Sequence, residues 1–151
     1  FKSFVDSVAR AALASGADEA VQQALYDYRM NLGYAFQIAD DVLDYTADAA
    51  ELGKNLGDDL AEGKATLPLI RAMDRSDAAT RERLRRIVQE GDTSAMAEVL
   101  AAIHATGGLE YSRQRAMDYA RAAEAALSIL PESEAVAALR GLARYAVERT
   151  H

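Results

Sequence analysis

The chain has 151 residues, half of them hydrophobic and 27% charged, with no Cys, no Trp, two prolines and a net charge of −7. Such a chain can bury a sizeable single core, and its composition excludes intrinsic disorder, a disulfide scaffold and any thiolate site. The acidity argues against nucleic acid or anionic lipid as a partner, no apolar run approaches the roughly 18 residues of a membrane span, and the lack of Cys fits a cytoplasmic protein.

Thirty-three residues are Ala, the strongest helix former, and β-branched runs of period two are absent, so the pattern predicts an all-α fold. The chain starts at Phe1 rather than Met, inside a stretch that reads as a helix through Phe4, Val8, Ala11 and Ala12. The expectation is therefore a processed chain or a piece of a longer one. Ser15-Gly16 stops that helix, and Asp18 looks like the N-cap of a long one that carries Val21, Leu25, Tyr28, Leu32, Ala35, Ala39, Val42 and Leu43 and ends near Tyr45. Residues 46–65 break the periodicity with a charged stretch punctuated by Gly53, Gly57 and Gly63, long for a connection without structure of its own. Thr66 and Pro68 suit a helix start. Further helices are predicted at 77–90, 93–106, 109–130 and 134–148, bounded by Ser76-Asp77, Gly91-Asp92, Gly107-Gly108 and Pro131. No internal repeat or interdomain linker interrupts them, so residues 1–151 read as one bundle or part of one.

Chemistry concentrates on the long helix, where FQIADDVLD sets Gln37, Asp40, Asp41 and Asp44 within a narrow arc. A solvated acidic face is the simple alternative. Against it, carboxylates near a helix C-terminus oppose the macrodipole, and like charges four residues apart repel. Moreover, the same face carries Tyr26, Met30 and Tyr34, with Ile38 at its edge. The expectation is an apolar cavity with carboxylates at its mouth. Hard oxygen donors without Cys or His suit Mg²⁺, Mn²⁺ or Ca²⁺ rather than Zn²⁺, and the spacing is not that of an EF-hand. The following LGKNLGDDLAEGKATLP adds Lys54 and Lys64 as compact cations, with Asp58 and Asp59 placed to orient them or to reach a metal through water. Metal, lysines and an apolar cavity together read as a site for a diphosphate head with a hydrocarbon tail.

FQIADDVLDY followed by LGKNLGDDLAEGKATLPLI resembles the second aspartate-rich motif and following loop of trans-polyprenyl diphosphate synthases, closest to the long-chain octaprenyl or decaprenyl type. The resemblance continues through GGLEYSRQRAMDYARAAEAAL and LRGLARYAVER, covering nearly the whole chain. It implies a helical bundle of the isoprenoid (terpenoid) synthase type, present as a C-terminal half whose first aspartate-rich motif lies upstream. Lys2-Ser3 resembles the family's Lys-Thr pair but falls a few residues late, so no role is carried to it.

By the same resemblance, Asp40 and Asp41 bind Mg²⁺ (Mn²⁺ as the alternative) bridging to an allylic diphosphate, and Asp44 is a ligand or its neighbour. Lys54 and Lys64 neutralise diphosphate oxygens, Gln37 contacts the allylic head, and Phe36 lines the pocket beside it. The implied reaction elongates the allylic diphosphate with isopentenyl diphosphate to a long all-trans polyprenyl diphosphate, a ubiquinone side-chain precursor. A short-chain synthase and a non-catalytic helical subunit of a heteromeric synthase are the alternatives. A homodimer is the family's common state, and the isolated 151 residues are expected to be inactive. His104 reads as a structural or surface residue, Tyr111 and Tyr119 as packing or surface positions, and Arg81, Arg83, Arg85 and Arg86 as a solvated face paired with nearby acids.

Overall fold

The computed structural model describes Ser7, Arg10 and residues 16–46 and 57–148. The predicted first helix through Phe4, Val8, Ala11 and Ala12 lies outside the described residues, as do Gly53 and Lys54. Seven α-helices follow among those described: α1 (Glu19–Leu43), α2 (Asp58–Ala61), α3 (Leu67–Arg75), α4 (Ala78–Glu90), α5 (Met96–Ala105), α6 (Gly108–Ala126) and α7 (Glu134–Glu148). Single 3₁₀ turns at Thr93–Ala95 and Leu127–Ile129 complete them, and no strand occurs among the described residues.

Local chemistry sets most of these boundaries. Asp18 caps α1 as expected, its Oδ1 accepting from Val21 N at 2.9 Å. Asp77 caps α4 by accepting from Thr80 N at 2.8 Å, and Ser133 Oγ accepts from Val136 N at the start of α7. Pro68 sits in the first turn of α3, where a missing N–H costs nothing. Gly91 closes α4 at φ +61, in the left-handed region that favours glycine. The long helix stops at Leu43, two residues before the sequence pattern ends, and its last carbonyls are met by a tighter turn through Tyr45 N and Thr46 N. Within the stretch read as a loop, the single helical turn of α2 is an addition.

The chain divides into two compact units. The first joins residues 16–37 with residues 115–148, and its core gathers Tyr28, Leu32, Ala123, Leu127, Val136, Ala143 and Ala146. Tyr28 is wholly buried and its hydroxyl donates to Leu139 O at 2.8 Å; burial raises its pKa well above the usual tyrosine range. Arg144 closes on Glu124 at 2.8 Å on the surface of this unit, tying α7 to α6.

The second unit, residues 38–114, packs α3 against α4 and α5. Its core runs through Val42, Tyr45, Leu60, Leu69, Leu84, Ile87, Val99 and Ile103. Arg83 pairs with Glu98, and Arg85 with Glu82, as a solvated charged face should. Arg81 departs from that pattern. Its guanidinium donates to Met73 O at 2.8 Å and Ser76 O at 3.2 Å, satisfying the C-terminal carbonyls of α3.

Candidate active site

The C-terminal end of α1 delivers the acidic residues of the second unit. Asp41 and Asp44 are buried, at 6% and 7% exposure, while Asp40 on the same turn is half-buried. Carboxylates are rarely buried unless partnered, and the partners of Asp41 are specific. Its Oδ1 accepts from Lys64 Nζ at 3.0 Å, and its Oδ2 accepts from Leu67 N, the first amide of α3, at 3.3 Å. Lys64 also donates to Asp59 Oδ2 at 3.0 Å.

A short turn places that lysine. α2 carries Asp59, and Lys64 N bonds back to Asp59 O at 2.9 Å, so backbone and side chain fold onto the same residue. Burial by itself would lower the Lys64 ammonium, but the hydrogen bonds from Asp59 and Asp41 outweigh it and raise its pKa above the ordinary lysine value. Lys64 is thus a permanently charged donor suspended between two carboxylates. The expectation that Asp58 and Asp59 orient the lysines holds for Asp59 toward Lys64, whereas the Asp58 side chain is exposed.

Two further residues belong to this neighbourhood and were read from sequence only as helix boundaries. Tyr45 and Thr66, exposed 4% and 1%, share a hydrogen bond of 2.7 Å between their hydroxyls. Burial pushes Tyr45 up to about 12, opposed by its bond to Thr66 and assisted by the carboxylates of Asp44, Asp59 and Asp41. A Thr two residues after a Lys, at the entrance of a Pro-containing helix, is the only sequence signal that could have marked them.

The remaining predicted residues are distributed as follows. Gln37 and Phe36 belong to the first unit; Gln37 is exposed, and Phe36 is partly buried against the core around Tyr28 and Leu32. Lys54 lies outside the described residues. The apolar face ahead of the carboxylates is not enclosed in this chain: Tyr26 and Tyr34 are each 48% exposed, and Met30 and Ile38 are partly buried. Tyrosine tolerates that position because its ring can carry a cation or another ring. Arg29 lies over Tyr26, Tyr34 meets Tyr119 at 5.2 Å, and Arg115 covers Tyr119. His104 is exposed, as is Tyr111, whose ring supports the Arg71 guanidinium at 4.4 Å. Among the described residues, no three acidic or His side chains are gathered closely enough to hold a metal by themselves.

The sequence profile of the polyprenyl synthetase family matches residues 2–106. The chain belongs to that family, and its fold is that of the isoprenoid synthases. It is 46% identical over 142 residues to the octaprenyl diphosphate synthase of Haemophilus influenzae, covering 93% of this chain and 43% of that protein. The octaprenyl diphosphate synthase of Escherichia coli is 45% identical over 138 residues, with 91% and 43% covered. Among solved structures, the decaprenyl diphosphate synthase of Rhodobacter capsulatus superposes with a TM-score of 0.86 at 39% identity, covering 98% of this chain and 46% of that one. The polyprenyl synthase of Caulobacter crescentus, complexed with calcium and isoprenyl diphosphate, gives 0.84 at 40% identity, with 98% and 46% covered. The chain thus spans under half the length of these relatives.

Proposed function

We propose that the protein carrying this chain is a long-chain prenyltransferase, lengthening an allylic diphosphate with isopentenyl diphosphate, and that residues 1–151 supply the second aspartate-rich half of its single catalytic domain. The observation that carries this reading is the Lys64–Asp41 contact at 3.0 Å, which joins the aspartate-rich helix to the Gly-Lys loop in a chain so similar to octaprenyl diphosphate synthases.

In this reading Asp40 and Asp41 would hold Mg²⁺, or Mn²⁺ in its place, with Asp44 as a further ligand or its neighbour. The donor set fits: all are carboxylates, and Mg²⁺ takes one or two of these and completes its shell with water and substrate phosphate. Bound there, the ion supplies positive charge against the departing diphosphate. In the same reading Lys64, kept cationic by its two carboxylates, turns one of its three N–H donors onto a diphosphate oxygen, and Lys54 is assigned the same task. Gln37 and Phe36 are assigned to the allylic head. Rupture of the allylic C–O bond sends the electron pair to diphosphate; the double bond of isopentenyl diphosphate then attacks the allylic carbon and a proton is lost. The apolar surface of Tyr26, Met30, Tyr34 and Ile38 is suited to the hydrocarbon, each buried CH₂ contributing about 0.8 kcal/mol.

No helix among the described residues is long and apolar enough to cross a membrane. A cytoplasmic homodimer making a quinone side-chain precursor is the setting that fits the family. The decisive experiment is calorimetric titration of the encoded protein with inorganic pyrophosphate, with and without Mg²⁺. Metal-dependent binding is expected, and it should disappear when Asp40→Ala and Asp41→Ala are combined. A wild-type protein that binds no pyrophosphate in the presence of Mg²⁺ would overturn the proposal.

A further inference from the structure

Thr66 stands at the N-cap of α3, where a hydroxyl ordinarily accepts from an amide in its own helix's first turn. It makes no such bond. Its Oγ1 is committed instead to Tyr45, in the turn that follows Asp44, in a setting from which water is excluded. The first amide of α3, Leu67 N, which an N-cap side chain does not reach, donates to Asp41 Oδ2, a carboxylate 26 residues earlier in the chain. The start of α3 is also pressed from a third side. Gly108 lies so close that a Cβ there would stand 2.6 Å from Pro68 O.

These contacts make one device. The Tyr45–Thr66 bond pins the entrance of α3 to the end of α1, and that entrance aims Leu67 N–H at Asp41. One oxygen of Asp41 is thereby fixed by a backbone donor while the other faces Lys64. If the hydroxyl pair is broken, Thr66 can rotate to cap its own helix, the register between Leu67 N and Asp41 slackens, and the carboxylate loses its fixed orientation.

We propose that Tyr45 and Thr66 are positioning residues for the diphosphate site: their buried hydroxyl pair orients the Asp41 carboxylate through the N-terminus of α3, without touching substrate. The inference rests on the function proposed above. Groups that orient a metal-binding carboxylate typically change metal affinity or activity about 10- to 100-fold when removed, which sets the expected size of the effect.

The test is calorimetric binding of inorganic pyrophosphate with Mg²⁺ to the encoded protein, with thermal melting followed in parallel. Tyr45→Phe and Thr66→Val should each weaken binding about 10- to 100-fold, and Thr66→Ser, which keeps the hydroxyl, should stay within about threefold of wild type. The double variant Tyr45→Phe with Thr66→Val should bind no more weakly than the worse single one, because both remove the same bond. If Thr66→Val does not fold, Tyr45→Phe and Thr66→Ser decide the matter. Wild-type affinity in Tyr45→Phe, equal weakening by Thr66→Ser and Thr66→Val, or multiplying losses in the double variant would each overturn the positioning role. Those outcomes leave the proposed function standing provided that Asp41→Asn still abolishes binding. Absence of Mg²⁺-dependent binding in the wild type removes both.

Discussion

Gly91 and Gly107 form a matched pair that separates backbone strain from close packing. Both have positive φ, +61 and +66. A Cβ at Gly107 meets nothing within 4 Å, whereas one at Gly91 would stand 2.8 Å from Ala61 O and 3.6 Å from Leu60 O. Alanine in the left-handed region costs about 1–2 kcal/mol at either site. At Gly91 the obstacle is a backbone carbonyl at the end of α2, whose turn is already held by Ala61 N on Gly57 O at 2.9 Å and cannot swing aside as a side chain would. Relieving that overlap adds about 1–3 kcal/mol, so Gly91→Ala should lose about 2–5 kcal/mol against about 1–2 for Gly107→Ala. Urea unfolding of the two variants reads this directly as a lower midpoint for Gly91→Ala at unchanged slope. Equal midpoints would refute the claim that α2 is packed rigidly against the end of α4.

Other consequences are open to equally simple measurement. Tyr28 and Tyr45 have pKa values raised above their ordinary 10.0, so the folded state keeps these protons after the unfolded chain has lost them; stability should therefore fall as pH climbs above 10.0, and Tyr28→Phe should flatten that fall in urea midpoints measured along an alkaline series. Lys64, also raised, acts in the same direction above the ordinary lysine value of 10.5. Lys64→Met should weaken Mg²⁺-dependent pyrophosphate binding by about tenfold or more, the worth of one charge-assisted hydrogen bond, and Lys64→Arg should not restore it because a planar fork cannot replace a point charge between Asp41 and Asp59. Leu84→Ala, at a fully buried position in the core of the second unit, should cost about 2–5 kcal/mol in the same unfolding assay.

Local rules carried the fold a long way. Asp18, Asp77, Pro68 and Gly91 each act through neighbours a few residues away, and each is where periodicity and cap chemistry put it. The acidic cluster was legible for a similar reason, since 3.6 residues per turn brings Asp40, Asp41 and Asp44 together whatever the rest of the chain does. What stayed hidden depends on partners distant in sequence. Thr66 reads as an ordinary cap, and only folding reveals that its hydroxyl is spent on Tyr45 while Asp41 serves the helix. Arg81 reads as one of a charged row, yet it binds carbonyls of the preceding helix rather than an acid. The half-exposed rings of Tyr26 and Tyr34 could not be paired from hydropathy either: Tyr26 lies under Arg29, and Tyr34 meets Tyr119, a residue 85 positions later.

Helix α3 therefore owes both of its ends to side chains on other helices, Asp41 at its start and Arg81 at its finish. A nine-residue helix has little stability of its own. Its amides cannot fray independently once both termini are held from outside, nor can they persist once either neighbour departs. Hydrogen exchange along α3 should accordingly be all-or-none, reporting the opening of the second unit as a whole rather than local breathing. The element that donates to Asp41 is thus built to be either fully formed or absent, with no half-ordered version between.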